Sequence, residues 1–479
     1  MFTKQLSTPL KLIKRCYNRV TPEIISSLKH QLGEGQISTS QSVREHHGKD
    51  ESSIRITIPD VVVFPQTTKD VSMVLKLCNH NEIPVIPFGT GTGLAGGVSP
   101  LMSCVSMDLT KMDQIVDLHV EDFDVTVQPG VTRKQINNYL KDYGLMFPVD
   151  PGADASLCGM AATSASGTNA VKYGTMKSNV LNMEVVLADG TVIHTAGKGR
   201  RSRKSAAGYN LTNLFIGTEG TLGVITSATL KLYGIPEMKT SAVCQFKTVG
   251  GAIRSTIEVI QNGIDIARIE FLDEMSMRLC KRYSKLDYMS EEPTLFLEFQ
   301  GSQKTIEDYI ELTSQITKSN GGGEFMYTLK QEDTNQLWAA RHNYFYAVLA
   351  SSPNKKSYTT DVAVPISRLE QVVEEAREII NKSGFLGPIA GHVGDGNFHA
   401  ILLFNPADAE EVQRCNHVAH EISKLALRHD GTCTGEHGIG LEKKLILPEE
   451  VGMESVDVMK KLKMALDPKG ILNPGKLLA

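Results

Sequence analysis

Two histidines and a separate Glu-His pair have the residue types and spacing of a metal centre with a general base. Gly391–His399 reads G-H-V-G-D-G-N-F-H, and a two-residue turn at Asp395-Gly396 would place His392 directly opposite His399. Facing residues of a hairpin have Cβ atoms about 5 Å apart on one side of the ribbon. The register therefore predicts two converging imidazoles, which suit zinc or another divalent metal. The alternative is a hairpin whose histidines are incidental.

A loop held by glycines farther along the chain offers the third ligand. Gly435–Gly440 reads G-E-H-G-I-G, and the neighbouring side chains of Glu436 and His437 must diverge. One of them can therefore bind a metal while the other faces a substrate. We assign the carboxylate as the ligand and the imidazole as the base, because a neutral imidazole titrates near working pH. His417 and His420 lie at helical spacing and are interpreted as surface residues.

A glycine-rich loop between two predicted strands has the composition of a phosphate cradle. Ile83–Pro100 reads I-P-V-I-P-F-G-T-G-T-G-L-A-G-G-V-S-P. Glycine lets a backbone approach a ligand closely, and successive N–H groups of such a loop can converge on a phosphate. The loop also matches G-x-G-x-x-G, but a Rossmann NAD site needs a helix that opens at the loop. Pro100 and the strand predicted at Val105–Leu109 leave no room for that helix. An ordinary glycine-rich turn is the alternative.

A second segment is built almost entirely of small residues. Pro151–Tyr173 carries nearly no large side chain between Gly159 and Gly167, so it cannot build a core by itself. Two interpretations stay open for it. The backbone could lie flat against a large planar group such as a flavin ring, or the segment could form a tightly packed helix.

Composition sets the broad class of the protein. A chain of 479 residues predicts two or three domains. The hydrophobic fraction of 41% and the charged fraction of 22% are typical of soluble globular proteins. The net charge of -4 gives no sign of nucleic-acid binding, and no apolar run approaches the length of a membrane span. The 8 cysteines form no C-x-x-C pair, so neither a zinc finger nor a disulfide framework is indicated.

The first 21 residues differ from the rest of the chain. They carry five basic residues, several hydroxyl groups and no acidic residue before Glu23. This pattern predicts a mitochondrial presequence rather than a secretory signal, which would need a continuous apolar region. The alternative is a frayed basic N-terminus.

Periodicity places the elements that must position these motifs. A helix is predicted over Thr67–Asn81 with Thr68 as its N-cap, and another over Glu332–Leu349. Asn182–Thr195 is predicted as a hairpin with Asp189-Gly190 in its turn. After Pro236 strands alternate with helices, which predicts an antiparallel or mixed sheet covered by helices.

With N-P-G-K-L-L at Asn473–Leu478, these motifs resemble those of the FAD-linked 2-hydroxy acid dehydrogenases of the vanillyl-alcohol oxidase type. The resemblance covers nearly everything after residue 50. It implies an α+β fold with a two-part PCMH-type FAD-binding domain, a mixed α/β cap (substrate) domain and a C-terminal helical segment. The implied boundaries are 1–21 for the presequence, 22–236 for the FAD domain, 237–430 for the cap and 431–479 for the segment that returns to the FAD domain.

The resemblance also implies roles for individual residues. His392, His399 and Glu436 would bind the metal, His437 would be the base, and Arg341 in L-W-A-A-R-H would bind the substrate carboxylate. Thr359 stands where the family's 2-hydroxyglutarate enzymes carry a lysine, which favours a monocarboxylate substrate. The residues expected to contact FAD are Pro87, Phe88, Gly89, Thr90, Gly91, Thr92, Gly93, Gly97, Pro151, Gly152, Cys158, Gly159, Ala162, Ser166, Gly167, Tyr173, Gly174, Glu219, Gly220, Gly223, Ile225 and Asn473.

The expected reaction is oxidation of a short D-2-hydroxy acid to the 2-keto acid by FAD with a divalent metal, Zn or Mn. Within the family the chain most resembles mitochondrial enzymes that oxidise D-lactate and pass electrons to cytochrome c. Peripheral association with the inner membrane is compatible with this expectation. The rival within the family is a D-2-hydroxyglutarate dehydrogenase. From other classes, a metal-dependent hydrolase would explain the histidines, and a non-catalytic nucleotide-binding protein would explain the loops.

Overall fold

The computed structural model describes residues 17–54, 56–285, 289–328 and 330–478. Most of the predicted presequence, residues 1–16, lies outside the described residues and stays a prediction. From residue 17 the chain follows the body of the protein. Tyr17 donates a hydrogen bond to the carbonyl of Gly470 (2.9 Å), and the N–H of Val20 donates to Ser103 Oγ (3.0 Å).

The first lobe is a small sheet with helices on it. Its four strands lie in the order β1-β2-β4-β3, with β2, β4 and β3 parallel and β1 antiparallel. Helix α3 begins with a capping box between Thr67 and Asp70, so the predicted N-cap at Thr68 is wrong by one residue. The elements are α1 Pro22–Leu32, β1 Ile37–Ser38, α2 Gln41–His46, β2 Val61–Val63, α3 Thr68–His80, β3 Val85–Phe88 and β4 Val105–Asp108.

The second lobe is an antiparallel sheet whose five strands lie in the order β5-β6-β10-β8-β9. The predicted hairpin is confirmed, because Val186 of β8 pairs with Val192 of β9 and Gly190 in the turn has φ +83°. The elements are β5 Ile115–His119, β6 Asp124–Val127, α4 Arg133–Leu140, β7 Leu145–Met146, α5 Leu157–Thr163, α6 Ala170–Tyr173, α7 Met176–Asn179, β8 Val180–Val186, β9 Val192–His194, α8 Leu211–Phe215, β10 Val224–Lys231 and β11 Tyr233–Gly234. Part of the small-residue segment is therefore helical, in α5 and α6.

The third region, called the cap sheet below, is an antiparallel sheet in the order β15-β12-β14-β13-β18-β19-β16, with β17 also paired to β19. The helix predicted over Glu332–Leu349 is two helices, since the chain turns at Asn343. The elements are β12 Met238–Phe246, α9 Val249–Gln261, β13 Ile266–Leu272, α10 Glu274–Ser284, β14 Thr294–Gly301, α11 Gln303–Ser319, β15 Gly322–Thr328, α12 Gln331–His342, α13 Tyr344–Ala350, β16 Lys356–Thr359, β17 Val362–Ala363, α14 Leu369–Ser383, β18 Ile389–His392, β19 Asn397–Phe404 and α15 Ala409–Arg428.

The C-terminal segment crosses from the cap sheet back to the first lobe. It contains α16 Leu447–Val451 and α17 Met453–Leu466. After α17, the N–H of Val85 donates to the carbonyl of Ile471 (2.8 Å), and the N–H of Asn473 donates back to the carbonyl of Val85 (2.9 Å). The tail thus extends the first sheet at β3, the strand that leads into the glycine-rich loop. None of the helices in the described part of the chain has the length and apolar content needed to cross a membrane.

A partly buried arginine joins the cap sheet to the second lobe. The guanidinium of Arg268, on β13, bonds Asp150 Oδ2 (3.2 Å) and Asn169 Oδ1 (2.9 Å) of the second lobe and Glu298 Oε2 (3.1 Å) of β14. The same guanidinium lies 4.9 Å from the ring centroid of Trp338 in α12. Arg268 therefore contacts both the small-residue segment and helix α12.

Candidate active site

The histidine hairpin converges as predicted, but its register is different. His392 pairs with Asn397, and His399 pairs with Ala390. The predicted pairing of His392 with His399 is therefore wrong, because the connection has four residues instead of two. Gly396 in this loop has φ +83°, and a Cβ there would lie 2.0 Å from the carbonyl oxygen of Val364, so the close approach requires glycine. The two rings still meet diagonally, with centroids 5.4 Å apart.

Glu436 completes a set of three ligand atoms. Its Oε1 lies 3.2 Å from Nε2 of His392 and 3.3 Å from Nε2 of His399. The three side chains can offer ligand atoms that all lie within 4.8 Å of one another. Oε2 of Glu436 is buried and has no hydrogen-bond partner among the described residues. Two imidazole nitrogens and a carboxylate with a spare oxygen are a donor set that fits a divalent metal.

The outer nitrogen of each histidine is held by an acceptor. Nδ1 of His392 lies 2.8 Å from Oε1 of Glu270, and Nδ1 of His399 lies 3.1 Å from the carbonyl oxygen of Thr360. With each Nδ1 donating outward, as in metal-binding histidines, a metal that displaces the Nε2 proton would find a lone pair on each Nε2 beside Glu436. Burial disfavours the charged form of His392, but Glu270 and Glu436 outweigh it and raise the pKa of His392 well above its ordinary value.

His437 lies beside these ligands. Its ring stacks on that of His399, with centroids 5.0 Å apart and planes 11° apart. Nε2 of His437 is 3.9 Å from Oε1 of Glu436, and Nδ1 is 4.0 Å from Oδ2 of Asp361. Burial lowers the pKa of His437 to about 4, more than Asp361 can raise it, so the imidazole does not titrate near working pH as was expected. A neutral imidazole at the edge of the ligand set is able to accept a proton.

Asp361 builds the loop that presents Glu436 and His437. Its Oδ2 accepts hydrogen bonds from both of their backbone N–H groups (3.0 and 2.9 Å) and from Thr434 Oγ1 (2.7 Å). Asp361, His399 and His437 form a second possible ligand set. Since both Asp361 oxygens are already occupied by donors, Oδ1 by Asn397 Nδ2 at 3.0 Å, the set with Glu436 fits a metal better.

Arg341 contacts Glu270 at the same site, and Thr359 lies on the neighbouring strand β16. Arg341 is buried at 7% exposure, and its Nη2 donates to Glu270 Oε2 at 2.6 Å. Its Nε is buried without a partner among the described residues. Thr359 is half-buried and pairs with Ile401. Because alternate residues of a strand share a face, Thr359 lies on the sheet face that carries His399.

The predicted FAD residues of the first lobe meet the small-residue segment. An added Cβ at Gly89 or at Gly159 would lie 2.5 or 2.6 Å from the same Ser156 hydroxyl oxygen. Gly91 and Gly96 have φ of +69° and +74°, which favour glycine. The loop meets the segment at Ser156, whose backbone N–H also donates to Thr90 Oγ1 (3.4 Å). Contact with FAD remains a prediction for Pro87, Phe88, Thr90, Thr92, Gly93, Gly97, Pro151, Gly152, Ala162, Ser166 and Gly167.

A third loop closes this region. Gly220 packs against Pro87, since an added Cβ would lie 3.0 Å from that ring. Nδ2 of Asn473 donates to the carbonyls of Gly97 (3.0 Å) and Glu219 (2.7 Å) and so joins two loops. The carboxylate of Glu219 accepts the N–H groups of Ile439 and Gly440 (2.8 Å each), which links the loop to the one carrying His437. A cradle of backbone around glycines fits a dinucleotide.

Other predicted FAD residues face elsewhere. The side chains of Cys158 and Ile225 belong to the core of the second lobe, and an added Cβ at Gly223 would lie 2.4 Å from Val185. Tyr173 donates to Gln300 Oε1 of the cap (2.7 Å), and Gly174 packs on Ser178. The first three residues could contact a cofactor only through their backbones, and all five remain predictions.

Glu270, Asp361 and Ser156 were not predicted from the sequence. Each is buried, and each contacts a functional residue from a distant part of the chain: Glu270 and His392 are 122 residues apart. Local motifs carry no signal for such contacts. Of the two histidines predicted at the surface, His417 is exposed and His420 is half-buried.

Family models match most of the chain. The model described as "FAD linked oxidases, C-terminal domain" matches residues 235–477, and the model described as "FAD binding domain" matches residues 59–196. The chain is 57% identical over 455 residues to the probable mitochondrial D-lactate dehydrogenase of Danio rerio, covering 95% of this chain and 91% of that one. It is 41% identical over 469 residues to the mitochondrial D-lactate dehydrogenase (cytochrome) of Arabidopsis thaliana, covering 98% of this chain and 82% of that one.

Solved structures share the fold. The crystal structure of p-cresol methylhydroxylase with substrate bound superposes with a TM-score of 0.79 at 18% identity, covering 95% of this chain and 96% of that one. This likeness confirms the predicted α+β fold with a PCMH-type FAD-binding domain. The hydrolase and the non-catalytic nucleotide-binding protein are both set aside by the family matches, which identify a flavoprotein oxidoreductase.

Proposed function

The chain belongs to the FAD-linked oxidase family, and from that premise we propose that it oxidises D-lactate, or a similarly short D-2-hydroxy acid, to the 2-keto acid. The observation that carries this proposal is the convergence of His392, His399 and Glu436 beside His437, with Arg341 bordering the site. A 2-hydroxy acid offers a carboxylate and a hydroxyl on adjacent carbons, and this site has a group suited to each.

Arg341 would bind the substrate carboxylate. Its guanidinium is fixed at Nη2 by Glu270, and its buried Nε has no partner among the described residues. A carboxylate from the substrate would satisfy that donor, and arginine is suited to planar, paired hydrogen bonds with a carboxylate. Burial strengthens such a contact because the local dielectric is low.

His392, His399 and Glu436 would hold a divalent metal, Zn or Mn. A cation held by these residues would polarise the hydroxyl and carboxylate oxygens of the substrate. His437 would take the hydroxyl proton on Nε2, the nitrogen that lies 3.9 Å from Glu436 Oε1. Asp361 would keep the ring in place through the backbone N–H of His437 (2.9 Å).

The loop 87–97 and the segment 151–167 would hold FAD, which supplies an acceptor for the hydride that leaves the substrate Cα. Oxidation of the alcohol to the ketone would then leave the hydroxyl proton on His437 and the hydride, with its two electrons, on the cofactor. The imidazole of His437 is neutral before the reaction, because burial lowers its pKa to about 4. General base catalysis of this kind contributes about 10²–10⁴-fold to a rate.

We also propose cytochrome c as the electron acceptor and the mitochondrion as the location. Both follow from the names of two relatives, the Arabidopsis thaliana and Saccharomyces cerevisiae D-lactate dehydrogenases (cytochrome), mitochondrial. D-2-Hydroxyglutarate is the rival substrate. Its second carboxylate would enter a partly desolvated pocket beside Thr359, where a hydroxyl group cannot balance its charge.

The test is a steady-state assay with purified protein. Addition of D-lactate should produce pyruvate and reduce cytochrome c in a ratio of one to two, since cytochrome c takes one electron at a time. L-Lactate is the matched control and should give neither product. Absence of pyruvate with D-lactate, in protein that holds flavin and metal, would remove the proposed function.

A further inference from the structure

A buried carboxylate on β13 contacts both the arginine and one histidine of the site. Glu270 has no exposed surface. Its Oε2 accepts from Arg341 Nη2 at 2.6 Å, and its two oxygens lie 2.8 and 2.9 Å from Nδ1 of His392. Glu270 therefore touches two functional groups that come from α12 and β18.

We propose that Glu270 is a positioning residue, which orients Arg341 for the substrate carboxylate and fixes His392 with the lone pair of Nε2 toward the metal. This role rests on the proposed function. It deepens that function by making carboxylate recognition and metal binding depend on one side chain.

Glu270 first fixes the tautomer of His392. A neutral imidazole carries one N–H and one lone pair, and an ionised carboxylate can only accept. Because both Glu270 oxygens face Nδ1, the hydrogen resides on Nδ1. Nε2, which lies 3.2 Å from Glu436 Oε1, is then the nitrogen whose lone pair a metal would use in place of a proton.

Glu270 also fixes the direction of the Arg341 guanidinium. Arg341 is 7% exposed, and its contact with Glu270 through Nη2 fixes the plane of the group. The ring of Tyr344 lies 5.8 Å from the guanidinium carbon and restricts it further. Without Glu270 the guanidinium could rotate away from the orientation in which its unpartnered Nε is presented to a substrate.

The decisive variant is Glu270→Gln. Glutamine keeps the shape of the side chain, but its amide can present N–H groups to Nδ1 of His392. That contact favours the tautomer with the proton on Nε2, where it blocks the metal. Loss of the outer partner of a metal ligand weakens metal binding by about 10–100-fold, and we expect Zn²⁺ binding to weaken to this extent. We also expect KM for D-lactate to rise in Zn²⁺-saturated assays, because Arg341 is no longer fixed.

The measurement is competition for Zn²⁺ between FAD-loaded protein and a chelator, without substrate. The matched control is Glu298→Gln, because Glu298 is also a buried carboxylate of the cap sheet, at 2% exposure. Glu298 contacts Arg268 (3.1 Å) and Gln300 (2.7 Å) instead of the site residues. This control should bind Zn²⁺ with wild-type affinity.

The outcomes separate this inference from the proposed function. If Glu270→Gln weakens Zn²⁺ binding but the wild-type protein does not oxidise D-lactate, the role toward His392 stands and the proposed function fails. If the wild type oxidises D-lactate and Glu270→Gln keeps both wild-type Zn²⁺ affinity and wild-type KM, the positioning role is overturned. If Glu270→Gln weakens Zn²⁺ binding but leaves KM unchanged, only the role of Glu270 toward Arg341 is overturned.

A second variant covers the case in which Glu270→Gln does not fold. Glu270→Asp keeps the charge but withdraws the carboxylate by one methylene group. It should weaken Zn²⁺ binding less than the glutamine variant would and still raise KM. Wild-type values for both quantities in Glu270→Asp would overturn the proposal.

Discussion

Replacement of Gly93 by valine should weaken the binding of flavin without unfolding the protein. A Cβ at Gly93 would meet only Asp50, with Oδ2 at 3.5 Å and Cβ at 4.0 Å, which are ordinary contact distances. The φ of Gly93 also lies outside the left-handed region that favours glycine. The polypeptide itself therefore leaves room for a Cβ here, and any loss of flavin reports on the space that the cofactor needs.

The size of the effect follows from the cost of overpacking. Forcing extra carbon atoms into a closely packed contact costs about 1–3 kcal/mol, which corresponds to about 5- to 150-fold weaker FAD binding. The flavin-to-protein ratio after purification and a titration of apoprotein with FAD would measure this change.

The matched control is Gly323→Val in β15. An added Cβ at Gly323 would meet Gln245 O at 3.5 Å, the same distance as at Gly93, but in the cap sheet far along the chain from the glycine-rich loop. The control should hold flavin normally. If Gly93→Val binds FAD as tightly as the control does, the loop 87–97 is not the cradle.

Three further variants address the base, the substrate and the cap. His437→Asn should keep flavin and Zn²⁺ but reduce the rate of flavin reduction by about 10²–10⁴-fold, and a wild-type rate in stopped flow would contradict its role as base. Thr359→Lys should narrow a preference for D-lactate over D-2-hydroxyglutarate that we expect to be at least about tenfold in kcat/KM, and a wild-type preference for the dicarboxylate would refute the substrate assignment. Arg268→Ala should leave the buried carboxylates of Asp150 and Glu298 without their cation and cost about 3–5 kcal/mol in the free energy of unfolding; an unchanged thermal midpoint would show that this contact does not hold the cap.

The part of the site that lay in local motifs could be predicted from the sequence. His392, His399 and Glu436 were found because glycines at fixed offsets mark the loops that carry them. The predicted register between the histidines was wrong, because the two-residue turn is only a local preference and Gly396 instead accepts a hydrogen bond from the N–H of Val364 (3.1 Å). Tertiary contact overrode the local rule.

The carboxylates that support the site could not be found in this way. Glu270 stands in an ordinary strand, and its contact with His392 spans 122 residues. Asp361 likewise follows a strand with no motif around it, yet it accepts the backbone N–H groups of Glu436 and His437. Such residues are specified by the packing of β13, β18 and β19, which periodicity in one sequence does not reveal.

The elements themselves were more predictable than their ends. α3 was expected from its apolar spacing, but its N-cap is Thr67, since Asp70 completes the capping box there and not one residue later. The helix predicted through Asn343 is two helices, because the apolar spacing continues across the turn and hides it.

The central claim is that this site reduces FAD with electrons from D-lactate and needs a metal to do so. The most direct measurement is anaerobic stopped-flow mixing of the FAD-loaded protein with D-lactate, before and after removal of metal by a chelator. We predict rapid loss of the oxidised-flavin absorbance in the metal-loaded protein, little change after chelation, and recovery when Zn²⁺ or Mn²⁺ is restored. An oxidised flavin that persists in the metal-loaded protein, or equal reduction in the chelated protein, would contradict the account.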